Sequence, residues 1–292
     1  MPYIYLFAAV LATAGLAVIG MIFNRRIDHK PGFGNIYNLI GAFGNCTTWV
    51  IIFCADPKIN WNVLPYALAY GLGYGLFWVG LTGALQTGSP ALSSFVKQIA
   101  FIFVAVWGFF FWGSEPNVLV LSGIALIVIS LFLCLVPIGK NAQNESKKLS
   151  GKWLFYLLLV LCSNAGCAIV QRTQQRAFDG QYGSLMMVIS TVVAIIFCAL
   201  MCIKDDKKEW KSVMKKNWYL PVLAGSSSAM FNLFIILLVP TAVSPSLIYP
   251  TVAVGGLMLT TLSSILISKE RLRLLQWIGL SIGAVALILL NL

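Results

Sequence analysis

Apolar residues in this chain gather into ten runs, each set off from the next by a short polar stretch. The runs cover roughly 3–23, 34–54, 64–85, 90–111, 117–137, 153–174, 183–203, 218–239, 245–267 and 274–291. A helix that crosses a bilayer needs about 20 mostly apolar residues, so each run predicts one spanning helix. The second is the most dilute, because Asn35, Asn38 and Asn45 interrupt it. The longest polar stretches, 138–152 and 204–217, are too short for a folded soluble domain. The pattern predicts an all-α, polytopic membrane protein.

Composition agrees. Hydrophobic residues make up 59% of the chain and charged ones 10%, against about 25% charged in a soluble domain. Most of this surface needs lipid as its solvent. No basic residue precedes the first run, whereas Arg25 and Arg26 follow it. That order predicts a retained first span with its start outside, not a cleaved leader.

The net charge of +11 would suggest nucleic acid as the partner of a soluble protein. Here the basic residues sit between apolar runs, and they are sorted. The stretches after the first, third, fifth, seventh and ninth runs hold sixteen Lys and Arg, and the other side holds three: Lys58, Arg172 and Arg176. Basic loops stay cytoplasmic. Both termini are therefore expected outside a cell membrane, and the bilayer, not nucleic acid, is the expected large partner. Oligomeric state is left as monomer or homodimer.

An internal repeat divides the ten runs. Ser89-Pro90-Ala91-Leu92 matches Ser244-Pro245-Ser246-Leu247 at an offset of 155, and that offset also maps Glu115 onto Glu270. Serine suits a helix N-cap and proline the first helical position, so both blocks predict a helix restarting after a tight turn. Five runs per half is an odd number, so the second half is expected to cross the membrane upside down. Residues 1–137 form the first five-helix unit, 138–152 a cytoplasmic linker and 153–292 the second unit. Inverted repeats are common in carriers, which bind substrate near the midplane between them.

These features resemble the drug/metabolite transporter superfamily, EamA type. The segment SKERLRLLQWIGLSIGAVALILL (268–290) is similar to the end of such a repeat, and WGSEPNVLVLSGIALIVISLFL (112–133) is a looser copy. The first run lacks the Trp-Gly pair often found in that family. The resemblance implies a basket of ten helices, its central cavity lined by spans 1, 3, 4, 6, 8 and 9, with the fifth helix of each half outside. It implies no particular substrate.

Candidate chemistry starts from an absence. All nine acids and the one histidine, His29, fall in loops or at run ends. Acid–base catalysis needs a positioned titratable group, so an intramembrane enzyme is not expected. Nor is proton exchange through a first-span carboxylate, as in small multidrug exporters of the same superfamily. The seven cysteines lie in or beside apolar runs, with no metal or haem spacing; no cofactor and no metal are expected. Gly71–Gly75 fails the dinucleotide-loop register and reads as close helix packing. Asn144-Glu145-Ser146, a formal glycosylation site, falls on the cytoplasmic side. The basic run 204–217 can meet anionic lipid headgroups, though topology alone accounts for it.

One charge does fall inside a run. Lys97 lies seven residues past Pro90, roughly 10 Å into the membrane at 1.5 Å per residue. Intramembrane charge marks functional sites by default. Lys97 and Gln98 are read as contacts for an anionic or zwitterionic solute; the alternative is a lysine that snorkels to the surface. Asn164 and Asn232, near the centres of runs 6 and 8, either meet solute or bridge helices. Tyr66, Tyr70, Tyr74 and Trp78 recur every four residues and form a slowly winding stripe that lines a cavity or packs between helices. Tyr249, just before Pro250, is a similar case. Pro250 with Gly255-Gly256 marks run 9 as a place for a kink. Arg172 and Arg176 read as headgroup anchors that can also recruit anions.

The expectation is therefore a secondary carrier of a small organic solute. A ten-span carrier of the bile-acid-symporter type, which breaks spans 4 and 9, stays open. So does a non-transporting membrane protein or lipid scramblase.

Overall fold

A computed structural model describes residues 2–26, 33–87, 90–113, 117–135, 151–203, 217–241, 243–268 and 274–290. Ten α-helices account for most of them. They are α1 (Pro2–Arg26), α2 (Phe33–Ala55), α3 (Leu64–Thr87), α4 (Pro90–Phe111), α5 (Val118–Leu135), α6 (Gly151–Ala177), α7 (Gly183–Cys202), α8 (Tyr219–Leu238), α9 (Pro245–Ser268) and α10 (Leu274–Leu290). Each coincides with one apolar run. A 3-10 turn, Trp61–Val63, leads into α3. No strand occurs among the described residues.

Helix is the form lipid demands, since every backbone polar group must be satisfied within the segment. Hydroxyls obey the same rule. Thr13 donates to the Ala9 carbonyl at 3.0 Å, Thr191 to Met187 at 2.9 Å and Thr260 to Gly256 at 2.7 Å, each paired within its own helix. The two restart blocks behave as the sequence predicts where they are described. α4 begins at Pro90 and α9 at Pro245, and the Ser244 carbonyl accepts from Ile248 N–H at 3.1 Å. Ser89, Glu115 and Glu270 lie outside the described residues.

Seven helices (α1, α2, α3, α6, α7, α8 and α9) contain a stretch long and apolar enough to cross a membrane. In α4, α5 and α10 the apolar described stretches are Val96–Phe111, Val118–Leu133 and Leu274–Ala286. Large apolar side chains cover the outside, among them Leu266 at 80% exposure and Phe110 at 78%. A soluble monomer does not expose such a surface. The chain is a helical, multi-pass membrane protein.

The helices of the first five pack chiefly on those of the second five. α1 lies against α8 and α9, and α6 against α3 and α4; α2 packs on α7 and α8, and α3 on α7. α4 pairs with α9 and α5 with α10. Exchanging each helix of the first five for its counterpart in the second leaves these pairings unchanged.

Glycine sets how closely some pairs approach. Where α2 crosses α8, a Cβ on Gly225 would stand 1.9 Å from the Gly41 carbonyl oxygen, and one on Gly44 2.5 Å from that of Val222. The Gly71–Gly75 run likewise serves packing. A Cβ on Gly71 would meet the Ser190 carbonyl at 2.8 Å, and one on Gly75 the Phe197 ring at 2.6 Å.

Both α4 and α9 run unbroken, α9 continuing through Pro250. A fold whose fourth and ninth helices break where they cross is not the one adopted here.

Candidate functional site

The helix ends form two groups. One end of the bundle carries the α3–α4 turn, the start of α6 and the end of α9. The other carries the α4–α5, α6–α7 and α8–α9 connections. Between them lies a cleft of about 800 Å³, its open mouth included. Six helices line it. α1 gives Thr13 and Leu16, and α3 gives Tyr70, Tyr74, Phe77 and Trp78. α4 gives Lys97, Gln98 and Phe101. α6 gives Asn164, Cys167, Ala168 and Gln171. α8 gives Ser228, Phe231, Asn232 and Ile235, and α9 gives Tyr249. These are the helices at positions 1, 3, 4, 6, 8 and 9 in chain order.

Of the cavity candidates read from the sequence, Tyr70, Tyr74, Trp78, Lys97, Gln98, Asn164, Asn232 and Tyr249 stand on this wall, and Tyr66 does not. Helix periodicity explains the grouping. Asn164 and Gln171 are seven residues apart, and Ser228 and Asn232 four, so each pair shares one helix face.

Lys97 points into the cleft. Its Nζ lies 5.9 Å from the centroid of the Phe77 ring, within cation–π range. Among the described residues the one ion pair is Lys58–Asp56 at 3.0 Å, in an exposed turn; Lys97 has no carboxylate partner. Among the described residues, no acidic side chain lines the cleft. Asn164 Nδ2 donates to the Lys97 carbonyl at 3.0 Å, tying α6 to α4 beside the charge. So Asn164 both bridges helices and faces the cleft. Gln98 Oε1 is buried beside Lys97 with no hydrogen-bond donor.

A polar network crosses the cleft floor. Asn232 Oδ1 accepts from the Tyr70 hydroxyl at 3.0 Å and from Gln171 Nε2 at 3.3 Å, and Asn232 Nδ2 donates to the Ser228 carbonyl at 2.9 Å. Tyr74 Oη sits 3.3 Å from both Asn45 Nδ2, which donates to it, and Ser228 Oγ. Asn232→Leu should strand the Tyr70 hydroxyl, leave the Gln171 amide only its 3.5 Å bond to the backbone carbonyl of residue 232, and cost roughly 2 kcal/mol. Tyr70→Phe removes one bond and should cost under about 1 kcal/mol. Thermal midpoints of the two purified variants, compared in the same detergent, check the order.

The rest of the wall is aromatic. Tyr70 and Tyr74 stack at 6.1 Å, Tyr74 meets Trp78 edge-on at 6.0 Å, and Phe101 stacks on Tyr249 at 6.3 Å. Tyr66, first in the four-residue stripe, packs instead on Phe178 at 6.0 Å. Each four-residue step overshoots a full turn by about 40°, so Tyr66 has rotated off the face that Trp78 occupies.

The cleft is closed at one end. Tyr249, Tyr70, Gln171 and Ile235 are buried toward the α8–α9 end, whereas Thr13, Leu16, Trp78 and Lys97 keep partial exposure toward the α3–α4 end. The mouth therefore opens on the α3–α4 side. Past the closed end, the headgroup role expected of Arg172 does not hold. Arg172 is 6% exposed, turned inward with its guanidinium 5.3 Å from the Trp112 ring centroid. Arg172 lies about 100° round the helix from Gln171, on the side that meets Trp112. Arg176, exposed, donates from Nη1 to the Trp112 carbonyl at 3.1 Å.

Sequence reasoning passed over Thr13, Phe101, Gln171, Ser228 and Phe231. A polar residue at seven-residue spacing from Asn164 was the available signal for Gln171. Phe101 and Phe231 carry none, because an aromatic residue in an apolar run looks the same facing lipid or cavity.

No protein-family model matches the sequence, and no curated protein sequence matches it. Solved structures do share its fold. One crystal structure of a protein, 14% identical, superposes with a TM-score of 0.74 over 99% of this chain and 95% of that one.

Proposed function

We propose that this protein is a secondary carrier of the drug/metabolite type, moving a small organic anion or zwitterion, such as an amino acid or related solute, across the cell membrane. It crosses the bilayer ten times, as two inverted five-helix units, with both termini outside. The packing supports the repeat, because every principal helix pairing has its counterpart when the halves are exchanged. The sorting of basic residues supports the orientation.

The observation that carries the reading is Lys97, an ammonium with no carboxylate partner among the described residues, on the wall of an aromatic cleft inside a membrane protein. Its cost of burial is offset when an anion occupies the cleft. The aromatic faces hold an apolar or planar solute body, and the unpartnered Gln98 Oε1 accepts from a solute N–H or O–H. The cleft exposes the site to one side only, which is one half of an alternating-access cycle.

A thermal-shift screen of the purified protein against amino acids, organic acids, sugars, nucleobases and organic cations tests the reading. Carboxylate-bearing solutes should raise the midpoint saturably. Stabilisation by organic cations alone would sink it. Orientation has its own check. In a chain whose native cysteines are replaced, Lys58→Cys should react with an impermeant maleimide in intact cells, and Lys148→Cys only after permeabilisation. The reverse pattern would invert the topology.

A further inference from the structure

The closed end of the cleft holds a positive charge that the reading above leaves unused. Arg172 is 6% exposed, and its Nε and Nη1 have no hydrogen-bond partner. The Tyr249 hydroxyl, on a residue 1% exposed, faces Arg172 in a hydrogen-bonding contact that falls short of good geometry, and it has no other partner. The Trp112 ring covers the guanidinium at 5.3 Å. The one ion pair among the described residues is elsewhere. A guanidinium cannot shed its proton, so this charge stays buried with the neutral Tyr249 oxygen as a poorly aligned acceptor and no anion beside it among the described residues, a costly state for any fold.

Its position gives the charge a use. Arg172 follows Gln171, a cleft-wall residue, and Tyr249 is both the wall at this end and Arg172's neighbour. One side chain therefore separates the guanidinium from the cleft, which Lys97 faces from the open end. We propose that Arg172 and the Tyr249 hydroxyl form a second anion-binding site, which takes the solute's carboxylate when the closed end opens and the Lys97 end shuts. The guanidinium N–H groups and the tyrosine O–H supply the donors, and the Trp112 face keeps the guanidinium plane in place. Planar, multiply donated recognition of this kind suits a carboxylate and cannot be copied by lysine. The proposal rests on the carrier reading for its second state.

The test uses cyclohexanecarboxylate, an apolar carboxylate transparent above 280 nm, on the purified full-length protein at fixed ionic strength. Two signals are followed: the thermal midpoint, and the tryptophan fluorescence component that Trp112→Phe removes. The wild type should show a saturable Trp112 response. Lys97→Ala should keep that response. Arg172→Gln should abolish it while the midpoint still rises with probe through the Lys97 site. Arg172→Lys, which preserves charge and volume should the glutamine variant fold poorly, should weaken the response by at least about tenfold; Tyr249→Phe should weaken it less. An unchanged response in the Arg172 variants overturns this site and leaves the carrier reading standing. An equal, Arg172-dependent response to chloride overturns the assignment to a solute carboxylate. No change in either signal for the wild type overturns both readings.

Discussion

Lys97→Ala should weaken binding of a carboxylate solute at the open-end site, read by the thermal midpoint, by roughly 30- to 150-fold, the equivalent of about 2–3 kcal/mol for a lost charge-assisted hydrogen bond in a sheltered site. The fold should survive the change. Lys97 is tied to its surroundings through its backbone carbonyl, which accepts from Asn164 Nδ2, and that bond does not depend on the side chain. Removing the ammonium also relieves a burial cost, so the empty protein should keep its thermal midpoint or gain on it. Lys97→Arg keeps the charge but changes its reach and geometry, and should retain part of the affinity. The signature is a binding defect without a stability defect. A variant that loses both together would mean Lys97 serves the fold.

Gly225→Leu should have the opposite signature, loss of the assembled protein. A Cβ at Gly225 would lie 1.9 Å from the Gly41 carbonyl oxygen and 2.7 Å from Asn45 N. Both obstacles are backbone, so no rotamer change relieves the clash; α2 and α8 must separate. Small residues at such crossings are what let membrane helices approach. Overpacking a tight core costs roughly 1–3 kcal/mol, and a whole leucine side chain at a backbone contact belongs above that range. Loss of the monodisperse elution peak after solubilisation is the readout. Gly166→Ala is the control, since nothing lies within 4 Å of its added Cβ, and it should be neutral or stabilising by up to about 1 kcal/mol.

Much of the architecture was legible because the governing physics is one-dimensional. The length of an apolar run reports a helix directly, and proline at a helix start pins its first residue. Hence α4 and α9 begin at Pro90 and Pro245 as read from the chain. The polar residues that meet in the cleft were also partly legible, since Lys97, Asn164 and Asn232 stand out against apolar neighbours.

Rotation about each helix axis was not legible. Hydropathy places Arg172 near a helix end, where headgroups wait, but only packing against Trp112 and Tyr249 shows it facing inward. The same blindness joined Tyr66 to a stripe that it leaves by rotation. Nor does the sequence say that Asn232 is held by Tyr70 and Gln171, a partnership between residues 162 and 61 positions apart. Long-range pairs of this kind follow from how the two halves interlock, which no local pattern encodes.

The central claim is that the aromatic cleft carries a carboxylate solute and depends on Lys97 to do so. Counterflow in proteoliposomes tests it most directly, with vesicles preloaded with a carboxylate found in the thermal-shift screen and its labelled form added outside. The account predicts saturable uptake that unlabelled carboxylate competes away, an organic cation of equal size does not, and Lys97→Ala reduces by at least about tenfold. Uptake that never saturates, or that is equal in wild type and Lys97→Ala, would contradict it.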